Sequence, residues 1–153
     1  MTLKKLLQEV FATEGEDRVA FAKEQYAIVL NEFRKLGLEK ENMGAITLEI
    51  VRLFVRIDKR TSYEEYSFLS DLFGLDLSYD EFRTKMHKSQ GDGYREVMES
   101  MVKQFSRKGK KAFCLFGLCI IESDETMDTA EHSLIEHILK ALKLQSEDEE
   151  DED

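Results

Sequence analysis

The chain has 153 residues, 42% of them hydrophobic and 10% aromatic, enough for the packed interior of one domain and too apolar for general disorder. Its 32 acidic against 22 basic residues give a net charge of -10, which repels phosphate backbones and argues against a nucleic-acid partner. The longest apolar run, 112–121, is about half of a bilayer span, and no signal-peptide pattern opens the chain, so a cytoplasmic protein without a membrane span is expected.

Proline is absent and the eight glycines fall mostly between periodic segments, so long helices are permitted throughout. A short amphipathic helix over 3–12 ends near Gly15. Phe21, Ala22, Tyr26, Val29, Leu30, Phe33 and Leu36 then recur at three- and four-residue steps, the stripe of a second helix stopped by Gly37. Asn42 is placed to cap a third, whose Ile46, Ile50, Val51, Leu53, Phe54, Val55 and Ile57 cover a wide arc and predict burial on several sides. Ser62 and Glu65 have capping-box spacing, and Tyr66, Leu69, Leu72 and Phe73 carry that helix to Gly74.

Ser78 and Glu81 form a second capping box before Phe82 and Met86, and the run 89–93 breaks the pattern. Tyr94, Val97, Met98, Met101, Val102 and Phe105 supply the next stripe. The basic cluster Arg107, Lys108, Lys110 and Lys111 is assigned to the end of that helix, where cations favour the dipole. Phe113, Leu115, Phe116, Leu118, Cys119, Ile120 and Ile121 make the most apolar helix. Cys114 and Cys119 point to different sides of it and read as reduced core residues. Asp128 caps the last helix, with Glu131 three positions on and Leu134, Ile135, Ile138, Leu139 and Leu142 facing inward. The domain spans 1–146; the uniformly acidic run 147–153 has nothing to bury and reads as a disordered tail. Attraction between that tail and the basic cluster accounts for the cluster without a phosphate or lipid ligand.

A shift of 66 residues places Asp58 on Asp124, Ser62 on Asp128, Glu65 on Glu131, and Ile50, Phe54 and Val55 on Phe116, Ile120 and Ile121. The expected fold is therefore all-α, a single-domain bundle of about seven helices with a pseudo-two-fold internal repeat of helix–acidic loop–helix hairpins, its halves near 42–74 and 110–144. An apolar helix, an Asp-led turn, a Ser or Asp cap and a Glu three later, given twice, resembles the TerB-like helical domains of tellurite-resistance proteins and DnaJ-like co-chaperones. That resemblance implies a link to stress or metal-oxyanion resistance.

Asp58 and Glu65, and separately Glu122, Asp124, Asp128 and Glu131, offer oxygen ligands to a hard divalent cation, calcium or magnesium; no other cofactor is implied. Helix capping already accounts for the positions of Ser62, Glu65, Asp128 and Glu131 without a metal. The loop lacks the glycine and the bidentate glutamate of an EF-hand. His87, His132 and His137 do not have zinc-ligand spacing. Met86, Met98 and Met101 read as core filling before they read as a yielding groove. No phosphate loop, nucleophile elbow, His-Glu metalloprotease motif or dinucleotide fingerprint is present. The expectation is a non-catalytic binding or scaffold module whose acidic loops meet a cation or a basic protein; the alternative is a small hydrolase or transferase with a carboxylate-lined cleft between the repeats. The oligomeric state is left open.

Overall fold

The computed structural model describes residues 2–55, 63–86, 93–121 and 129–144, the side chains of 129–132 excepted. Among them the chain forms eight helices and no strand: α1 (Leu3–Phe11), α2 (Glu16–Lys35), α3 (Lys40–Phe54), α4 (Tyr63–Phe73), α5 (Tyr79–Met86), α6 (Tyr94–Lys103), α7 (Arg107–Ile121) and α8 (Thr129–Ala141). The all-α bundle is as expected. It has one helix more than about seven, because the segment after the second capping box completes two turns as α5.

α7 is the axis of the bundle. Every residue from Ala112 to Ile121 is buried, as expected of a helix that is apolar all round, and α1, α2, α3, α4, α6 and α8 all pack against it. Two glycines let neighbours approach it closely. A Cβ at Gly117 would collide with the Phe54 ring of α3, and one at Gly109 would lie 2.5 Å from the Glu32 side chain of α2. Phe54 also meets Phe113, with ring centroids 5.3 Å apart, so α3 is keyed to α7 through one aromatic side chain.

Helix ends follow local chemistry. Thr2 caps α1 through Lys5 N–H at 3.2 Å. α2 stops at Gly37, whose φ of 93° permits a Schellman turn: Gly37 N–H donates to Arg34 O, and Leu38 N–H to Phe33 O. The Ser78–Glu81 box forms reciprocally, Ser78 N–H donating to Glu81 Oε1 at 2.8 Å and Glu81 N–H to Ser78 Oγ at 3.1 Å.

The structure departs from three sequence expectations. Asn42 does not cap α3, which already starts at Lys40 after an extended Glu39 that makes no side-chain cap bond. Leu36 is 37% exposed as the C-cap of α2 and leaves the apolar stripe. The basic cluster belongs to the start of α7: α6 ends at Lys103, and Ser106 turns the chain, so Arg107, Lys108, Lys110 and Lys111 sit at the positive end of a helix dipole rather than at a negative one.

Within the proposed repeat, α3 and α4 start 67 and 66 residues before α7 and α8. Similar spacing stands beside unequal burial, since α7 is buried at every position from 112 to 121 while α3 keeps Gly44 exposed. No described helix is long and apolar enough to cross a membrane.

Candidate functional site

An open groove of about 1100 Å³ lies between the α1–α2 turn and α4, lined among others by Phe11, Val19, Tyr63 and Phe68. Phe11 closes α1 and Tyr63 opens α4, and each is 57% exposed. Phe68 is buried and Val19 half-buried, so apolar surface forms the floor as well as the rim. Large exposed aromatics flanking a concave surface of mixed apolar and charged character mark a candidate binding face.

Both rims are held. On one side Arg18 clamps the turn, its Nη2 donating to Thr13 O at 2.7 Å and Val10 O at 3.3 Å, while Thr13 Oγ1 donates to Val10 O at 2.6 Å. These bonds satisfy carbonyls at the end of α1 and place a cation at the negative end of its dipole. On the other, Tyr63 packs against Tyr66 and, edge-on, against Tyr79, with centroids 5.7 and 5.3 Å away. Tyr66 donates its hydroxyl to Leu77 O, and the Arg83 guanidinium lies over the Tyr79 ring at 5.5 Å. Exposed as it is, Tyr63 is the outer member of an aromatic stack joining α4 to α5.

The groove's charge is mainly negative. Glu14, Glu16, Glu64 and Asp71 line it, against Lys23 and Arg18, and Arg18 spends its guanidinium on the turn. A second groove of about 500 Å³ between α3, α4 and α5 is lined mostly by apolar side chains, including Leu48, Val51, Phe73 and Leu75.

Two buried carboxylates serve the fold instead. Glu32, 7% exposed, accepts from Ser106 N–H at 2.8 Å and from Ser106 Oγ at 2.9 Å, while Ser106 Oγ accepts from Gly109 N–H at 3.2 Å. Ser106 is thus the N-cap of α7, and Glu32 caps the cap. Glu49, 3% exposed, pairs with Arg52 at 2.9 Å and Arg95 at 3.1 Å; Arg52 Nε also donates to Met86 O at 3.2 Å. That network ties α3 to α6 and to the end of α5.

Of the six expected cation ligands, Asp58, Glu122, Asp124 and Asp128 lie outside the described residues, as does the side chain of Glu131. Glu65 is fully buried in α4. Among the described residues no three His, Cys, Asp or Glu side chains are grouped to hold a metal ion. His87 lies outside the described residues, as does the side chain of His132, while His137 is exposed on α8. Met98 and Met86 are buried as core filling.

Cys114 and Cys119 are free and buried, and desolvation pushes both thiols from 9.0 up to about 12, with nearby Arg18 partly opposing it at Cys119. A thiol of that acidity is almost wholly protonated at neutral pH, which is the wrong state for a nucleophile.

Sequence reasoning missed Glu32, Glu49, Phe11 and Tyr63. For the two acids a signal existed: each stands at an apolar position of its stripe, Glu32 three after Val29 and Glu49 three after Ile46. Neither family models nor curated proteins nor solved structures give a match to this chain.

Proposed function

We propose that this protein is a non-catalytic binding module that holds a basic, amphipathic segment of another protein in the groove between the α1–α2 turn and α4. The observation that carries the reading is the pair Phe11 and Tyr63, two aromatic side chains 57% exposed on opposite rims of one groove. Aromatic anchors that are already positioned lose little freedom on binding, and Tyr is among the residue types that dominate binding energy. The acids Glu14, Glu16, Glu64 and Asp71 select a positively charged partner and steer it toward the groove.

The resemblance to TerB-like domains fits this class of function, and a role in stress or tellurite resistance comes from that analogy alone.

The test is a fluorescence-anisotropy titration with basic amphipathic helical peptides on the wild type and on Phe11→Ala and Tyr63→Ala. Each substitution should weaken binding by about tenfold or more, on the scale of a hot-spot residue. Equal affinity in all three proteins would refute the groove as the binding site.

A further inference from the structure

The start of α7 concentrates positive charge where a helix tolerates it least. Lys103 closes α6, and Arg107, Lys108, Lys110 and Lys111 follow within the first five positions of α7. Lys103, Arg107 and Lys108 are exposed. The partial positive charge of the helix N-terminus adds to theirs. The first-turn N–H groups are not what is on offer, because Ser106 caps Gly109 N–H and Glu32 accepts from Ser106 on the inner side. What faces outward is a charged surface, and its natural complement is a run of acids.

The chain carries such a run, and the described residues that lead into it end beside this surface. α8 ends in a Schellman turn, Leu144 N–H donating to Leu139 O at 2.9 Å and Lys143 N–H to Lys140 O at 3.0 Å. Lys143 adopts a φ of 59° to make it, a conformation glycine takes more easily. Leu144 is 1% exposed, so the turn is pinned into the core. Lys110 Nζ donates to Leu142 O at 3.3 Å, which fixes that exit beside the first turns of α7. From Leu144 the nine residues 145–153 reach at most about 30 Å when extended, whereas one helical turn is only about 5 Å long. The seven consecutive acids 147–153 can therefore lie against Arg107 and Lys108 without any movement of the bundle. One ion pair already shows this face accepting a carboxylate from a neighbouring element, Lys111 Nζ to Glu9 Oε2 at 2.9 Å.

We infer that the acidic run 147–153 docks on the basic surface formed by Lys103, Arg107, Lys108 and Lys110, and so competes there with external polyanions. Tethering to Leu144 by so few residues sets the effective concentration of the acids in about the millimolar range. Each exposed contact is weak and screened by salt, so the docked state is reversible and dissolves as ionic strength rises.

The experiment uses the full chain and heparin as the polyanion probe at about 50 mM NaCl, where screening is modest. Replacing the seven acids 147–153 by their amides should raise heparin affinity about tenfold or more, with the gain largely lost at about 500 mM NaCl. In Arg107→Gln/Lys108→Gln the gain should fall below about threefold, while in Lys40→Gln/Lys85→Gln, exposed lysines on other helices, it should persist. Zero-length carbodiimide cross-linking of the unaltered chain should join tail acids to Lys103, Lys108 or Lys110 within one molecule. An equal gain in the Arg107→Gln/Lys108→Gln background would mean that the tail acts through bulk charge alone, and cross-links found only between two molecules would place it on another copy; either result overturns the proposal.

Discussion

Phe54 of α3 lies so close to Gly117 of α7 that no β-carbon fits between them, and this contact sets how near the two helices come. Gly117→Ala should therefore destabilise the protein by about 1–3 kcal/mol, the usual cost of overpacking a close-packed core. Gly44→Ala makes the contrast, since a Cβ there meets nothing within 4 Å and α3 gains a better helix former. That variant should be more stable by about 0.5–1 kcal/mol. Urea titrations of both read the two signs in one experiment.

Glu32 and Ser106 are 74 residues apart and act as one cap. Ser106→Ala removes the N-cap hydroxyl and leaves Glu32 Oε2 without that donor, and Glu32→Gln weakens two charge-assisted bonds. Each should cost about 1–3 kcal/mol. A double-mutant cycle should return a coupling of about 0.5–3 kcal/mol, whereas additive effects would show the two residues to be independent.

Glu49 is buried between two arginines, and removing it strands both. Glu49→Ala is expected to cost about 3–5 kcal/mol, the range for breaking one side of a buried pair. Arg95→Ala should cost clearly less, because Arg95 is 35% exposed and Arg52 still neutralises the carboxylate. The ranking of the two midpoints in denaturant checks the assignment.

The cysteines make stability fall in alkali. Their folded pKa of about 12 lies above the ordinary 9.0, so between these values the unfolded chain releases protons that the folded one retains. Stability is fully present below about pH 9 and is lost as pH climbs toward about 12, at up to about 1.4 kcal/mol per pH unit for each thiol. Burial raises Tyr26 as well, against a hydrogen bond to Thr47 and the charge of Arg34, which adds loss in the same direction. Cys114→Ala should flatten the slope of stability against pH over that window. Thiol reagents should label the folded protein at the rate of its opening rather than at the rate of free cysteine.

Much of the bundle was legible because periodicity and caps are local. The apolar run 113–121 identified the buried axis, and the Ser78–Glu81 box forms as its spacing implies. The start of α7 was misread because no proline or glycine separates Lys103 from Arg107; the only punctuation is Ser106, three residues before Gly109. Glu32 pairing with Ser106 was invisible because a hydrogen bond across 74 residues leaves no trace in either local pattern. The groove was invisible for a related reason: Phe11 and Tyr63 are 52 residues apart, and only packing brings them to one depression.

Amide-shift mapping of a bound peptide bears most directly on the binding reading. On titrating a basic amphipathic peptide into labelled protein, the largest changes should fall on Phe11–Lys23 and on Tyr63–Asp71, and they should vanish in a Phe11→Ala/Tyr63→Ala protein that keeps its fold. Changes centred on α6 or α8, or undiminished in the double variant, would contradict it.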